Sequence, residues 1–94
     1  MDQAKVREVL AIYRAKFEDT CTPKIEFPKG ESIAFSALPD IEALSHCNNM
    51  LDQIEVFIKE GRMDKVFRWL GFIQGVLWRC GVYTVGELAS HNRM

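Results

Sequence analysis

DIEALSHCNNMLDQIEVFIKEGRMDKVFRWLGFIQGVLWRCG, residues 40–81, decides the fold. In its first half, Ala43, Leu44, Cys47, Met50, Leu51, Ile54, Phe57 and Ile58 recur at helical spacing on one face. Ser45, Asn48, Asn49, Asp52, Glu55 and Lys59 fall on the other, which predicts an amphipathic helix over 40–60. Asp40 is the expected N-cap, and Glu42 adds negative charge to the first turn, where the helix dipole favours it. Gly61 ends that helix as a left-handed residue. A second helix restarts near Met63 and runs to Cys80, with Gly81 as its stop. The connector is so short that the two must lie antiparallel, as an αα-hairpin.

The hairpin's second helix is apolar on more than one side. Val66, Trp69, Leu70, Ile73, Val76, Leu77 and Cys80 share a face that suits packing on the first. Phe67, Gly71, Gln74 and Trp78 form another stripe, at i, i+4, i+7 and i+11. A helix apolar nearly all round requires burial on two sides. Gly71 and Gly75, each costing ~0.8–1.0 kcal/mol relative to Ala inside a helix, clear a line for close approach by another helix. Two readings follow: a homo-oligomer interface at Phe67, Gly71, Gln74, Gly75 and Trp78, or intramolecular packing of the N-terminal helix there. A symmetric oligomer would most simply be a dimer, though a higher assembly also fits.

Working outward, residues 3–19 read as an N-terminal helix with Val6, Leu10, Tyr13 and Phe17 in one stripe and Val9 at its edge. Residues 20–38 break the pattern, because Pro23, Pro28 and Lys29-Gly30 are turn signals. Lys24-Ile25-Glu26-Phe27 and Glu31 to Phe35 partly alternate, so this stretch is either a short β-hairpin or a long loop laid across the helices. Thr84-Val85-Gly86-Glu87 matches a capping box. It predicts a short C-terminal helix over 85–90, followed by a frayed tail of His91 to Met94. The expectation is a mostly all-α single domain, residues 1–94, built as a helical bundle that oligomerises.

Composition narrows the function. The chain has 94 residues, 48% hydrophobic and 27% charged, with net charge −1, too balanced for a nucleic-acid coat. Its apolar runs fall short of the ~20 residues of a membrane span, and Met-Asp-Gln-Ala-Lys is not the start of a signal peptide. Cys21, Cys47 and Cys80 are odd in number and widely spaced, as reduced thiols in a cytoplasm would be. His46-Cys47, Cys80 and His91 lack metal-ligand spacing, so neither a metal nor another cofactor is expected. None of the common catalytic motifs occurs, and a non-enzyme is expected.

The most suggestive cluster is Arg62, Lys65, Arg68, Trp69 and, further on, Trp78 and Arg79. Guanidinium groups pair with phosphate and indoles stack on bases, a combination suited to a small nucleotide-type anion. Tyr13 and, on the connecting segment, Thr22, Lys24 and Lys29 would complete such a site. The alternative is that the indoles are core anchors over which the cations snorkel.

From Gly61-Arg62-Met63-Asp64-Lys65 through Arg68-Trp69-Leu70-Gly71-Phe72-Ile73-Gln74-Gly75-Val76-Leu77-Trp78 to Gly81-Val82-Tyr83-Thr84 and His91-Asn92-Arg93, the second half resembles a group of small tailed-bacteriophage proteins of unassigned function. The resemblance implies a phage-encoded accessory protein in the host cytoplasm. Two roles suit such a setting. One is counter-defence by sequestering a nucleotide signalling molecule in a helical homo-oligomer. The other is inhibition of a host protein gripped through an exposed aromatic-basic helix face.

Overall fold

The computed structural model describes residues 1–26 and 38–93. Its elements are α1 (Gln3–Asp19), α2 (Asp40–Lys59), α3 (Met63–Arg79) and α4 (Val85–Arg93). No strand occurs among the described residues. Residues 20–26 are neither helix nor strand, and the rest of the strand-or-loop question, residues 27–37, lies outside the described residues.

The α2–α3 hairpin is the centre of the molecule; α1 lies against α2, and α4 closes over α1 and α3. The buried apolar residues form one cluster, with Val6, Tyr13, Leu51, Ile54, Ile73 and Leu77 fully inside. Ion pairs fasten the outer seam of α1 to α2: Arg7 to Glu55 at 3.2 Å and Arg14 to Asp52 at 2.7 Å.

The helix ends explain the boundaries. Asp2 caps α1, accepting from the Lys5 backbone N–H at 2.8 Å. α2 departs from expectation: Pro39 occupies the N-cap and Asp40 is the first helical residue. Pro39 is held at φ −59 and ψ 146, so its carbonyl meets the Glu42 and Ala43 N–H groups without a capping side chain. Asp40 and Glu42 still face the positive end of the dipole. α2 and α3 both end on left-handed glycines, Gly61 and Gly81 at φ +74. In each case the following N–H reaches back to the last turn, Arg62 to the Phe57 carbonyl and Val82 to that of Leu77.

Two residues assigned to the polar side of α2 are buried. Ser45 is inside, its hydroxyl donating to the Ile41 carbonyl at 2.6 Å. Asn48 donates to the Thr22 carbonyl at 3.0 Å. The segment after α1 covers this flank, and the Ile25 N–H donates to the Ser45 carbonyl at 3.2 Å. Burial holds the half-buried His46 imidazole below its usual value, opposed by a hydrogen bond to the Ile25 backbone.

Of the tail expected to fray, residues 91–93 are helical, and Met94 lies outside the described residues. Thr84 and Glu87 form the expected reciprocal cap, at 3.1 and 2.9 Å, but α4 continues past Ser90 to Arg93. Long-range bonds hold its last turn. The Tyr13 hydroxyl meets His91 Nδ1 at 3.1 Å, and the Gln74 and Asn92 amides pair at 2.7 and 3.3 Å.

Candidate interaction face

α3 buries Val66, Leu70, Ile73, Val76 and Leu77 against the rest of the molecule. Its opposite side carries exposed aromatic residues. Phe67 is 41% exposed, Phe72 51% and Trp78 55%, which is high for aromatic side chains on a chain this small. Gly71 and Gly75 lie open between them: beyond the adjoining residues and the helix's own backbone, a methyl group on either would meet nothing within 4 Å. The intramolecular reading of these glycines is therefore not realised among the described residues, since α1 packs chiefly on α2 and α4.

Two grooves flank Trp78. One, of about 430 Å³, is floored by Gly71, Gly75 and Val76 and bounded by Phe72, Trp78 and Arg79. The other, of about 320 Å³, runs between Trp78 and α4 and is lined by Gln74, Gly75, Val85, Leu88 and Ala89. Val85 is 64% exposed at its edge. The result is a continuous apolar surface with one indole as its ridge. Arg68 and Arg79 border it; Arg68 reaches Asp64 only at 3.7 Å, and both partners are largely exposed.

The expected ligand residues separate into groups. Arg62, Lys65 and Trp69 gather at the start of α3 around the buried Phe57 ring. Trp69 meets it edge-on at 4.9 Å between centroids, while the Arg62 guanidinium lies 5.1 Å and the Lys65 ammonium 4.9 Å from its centre. Here the cations cover core aromatics, as in the snorkelling alternative. Trp78 and Arg79 sit elsewhere: nine residues separate Trp69 from Trp78, about 13 Å along the axis. Within one chain the two indoles do not share a pocket.

Tyr13 and Lys24 join neither group. Tyr13 is fully buried, and its hydroxyl is engaged by Gln74 Nε2 at 3.0 Å and by His91. Burial raises its pKa, with Gln74 opposing. Lys24 pairs with Asp52 at 2.8 Å beside Arg14. Gln74 likewise turns from the outer stripe into the Tyr13–Asn92 network. Phe72 is the face residue that the stripe at i, i+4, i+7 and i+11 left out. Its signal was present, because it falls about 140° from Phe67 on the wheel, on the arc that holds Arg68 and Arg79.

Among the described residues no group of three or more His, Cys, Asp or Glu side chains is placed to hold a metal ion. No helix there is long and apolar enough to cross a membrane. In comparisons with known proteins, no family model, curated protein or solved structure matches this chain.

Proposed function

We propose that this is a binding protein rather than an enzyme, and that it works by docking an apolar helix of a protein partner on the outer face of α3. The observation that carries the reading is the exposure of Phe67, Phe72 and Trp78 on one side of a helix whose other side is core. Aromatic anchors beside open glycines, with Arg68 and Arg79 at the rim, have the composition of an interaction centre. In the setting implied by the resemblance to small phage proteins, such docking serves to counteract a host function.

Capture from bacterial extract on the immobilised chain tests the reading, with Trp78→Ala as control. A specific protein retained by the wild type and lost with Trp78→Ala, the variant melting as the wild type does, is the expected result. Equal retention by both overturns it. The nucleotide reading is separated by thermal shift against cyclic dinucleotides and cyclic ADP-ribose isomers. A nucleotide at a hundredfold its Kd stabilises the fold by ~2.7 kcal/mol. A shift that survives Trp78→Ala but needs Arg62 and Lys65 places function at the start of α3 instead.

A further inference from the structure

Resting on the docking reading above, we infer that the docked partner helix is acidic along one edge, with two carboxylates about three turns apart that meet Arg68 and Arg79. On the wheel of α3, Gly71 and Gly75 fall between two unlike edges. Phe67 and Trp78 line one, and Arg68 and Arg79 line the other, about 100° further round. The two arginines are eleven residues apart, so they stand about 20° from each other on the wheel and about 16 Å apart along the axis. A helix seated on the glycine floor therefore has aromatic rings along one side and guanidinium groups along the other.

That cationic edge lacks its complement. Arg68 meets only Asp64, at 3.7 Å, with the two side chains 71% and 84% exposed. Arg79 makes no ion pair among the described residues. Where this chain packs its own helices, such an edge is closed by carboxylates. Arg7 and Arg14 of α1 meet Glu55 and Asp52 of α2 at 3.2 and 2.7 Å, outside an apolar seam. The outer face of α3 repeats the cationic half of that seam beside an apolar floor, and a carboxylate-bearing helix supplies the other half. A second copy does not. Antiparallel, it sets Arg68 against Arg79 of the copy and joins like charges; parallel, it brings rings to the arginines and no carboxylate. A lipid surface would touch the projecting rings and leave the two grooves beside Trp78 unfilled.

The test is selection, on the full chain, from a displayed library of amphipathic helices with a fixed leucine–alanine stripe and randomised flanks. Asp and Glu should be enriched on one flank at positions about three turns apart. Arg68→Glu combined with Arg79→Glu should weaken the selected helix by about tenfold or more, and Lys in place of its two carboxylates should restore binding. Both arginines are exposed, so circular dichroism and Tm of the double variant should match the wild type. Selected helices without an acidic flank, or binding indifferent to the arginine reversal, overturn the acidic edge; if Trp78→Ala still abolishes their binding, the docking reading stands. Helices that bind Trp78→Ala as well as the wild type, or no enrichment at all, reject both. Phosphatidylglycerol vesicles and light scattering of the chain alone supply the remaining arms. Retention on the vesicles, or a dimer, that Trp78→Ala abolishes gives the face to lipid or to a second copy and overturns the proposal.

Discussion

Cys21 occupies the conformation that α2 and α3 reserve for glycine. Its φ is 54, its N–H donates to the Glu18 carbonyl at 3.1 Å, and the Thr22 N–H reaches the Phe17 carbonyl at 2.8 Å. That is the same helix ending as at Gly61 and Gly81, made with a side chain that pays a left-handed penalty of ~1–2 kcal/mol. Cys21→Gly removes the penalty but loosens the unfolded chain, offsetting part of the gain. A net stabilisation of up to ~1 kcal/mol is expected from the urea midpoint. Gly61 and Gly81 were legible as stops because glycine announces the left-handed turn. Cys21 was not, because no residue type signals a position that tolerates strain.

Asp52 supplies a second test at this scale. Lys24 and then Arg14 hydrogen-bond its carboxylate and hold it below its usual 3.8, against a smaller opposing effect of burial. A carboxyl depressed on folding stabilises fully above its unfolded value and loses that contribution as pH falls through the folded one. Both cations and Asp52 are about half exposed, so the gain is held by solvent screening to less than ~1 kcal/mol. Asp52→Asn should therefore lower the Tm slightly at neutral pH. The difference should begin to shrink as pH falls past 3.8 and close only once it has fallen through the lower folded value, where the wild-type carboxyl is itself neutral. A gap that persists there would assign the effect to packing.

Among elements, α4 separates local from long-range information. Its start was legible, since Thr84 and Glu87 carry a cap in four consecutive residues. Its end was not. His91 and Asn92 look like a polar tail until Tyr13 and Gln74, distant in sequence, meet them. The same contacts explain why Tyr13 and Gln74 were misplaced, one in a ligand site and the other in an oligomer stripe. Tyr13→Phe keeps the ring among Tyr83 and His91 and removes the hydroxyl that Gln74 and His91 share. The expected loss is ~1–2 kcal/mol, a buried hydrogen bond with its partners left short. Hydrogen exchange should speed up first in residues 88–93, because the lost bond is the one that ties the end of α4 to α1. Uniform acceleration through α1 and α2 would instead mean that the hydroxyl supports the whole core.

For the whole molecule, Leu77 and Trp78 mark the boundary between what holds the fold and what the fold displays. They are adjacent in sequence, yet Leu77 is 0% and Trp78 55% exposed. The wheel of α3 made this two-sidedness readable, because its apolar surface exceeded one face; which residues remained uncovered depended on where α1 and α4 came to rest. Leu77→Ala opens a cavity in the core and should cost ~2–5 kcal/mol. Trp78→Ala, although it deletes the larger side chain, should change stability by less than ~0.5 kcal/mol in dilute solution, as for a surface position. Partner concentration then separates fold from face. Mass action by a docked helix raises the native chain's apparent stability with the concentration of that helix, and Trp78→Ala removes the rise. Leu77→Ala should lower stability at every concentration by the same cavity cost while leaving the rise in place. A Trp78→Ala loss as large as that of Leu77→Ala in dilute solution would make the indole part of the core and withdraw the premise of the docking face.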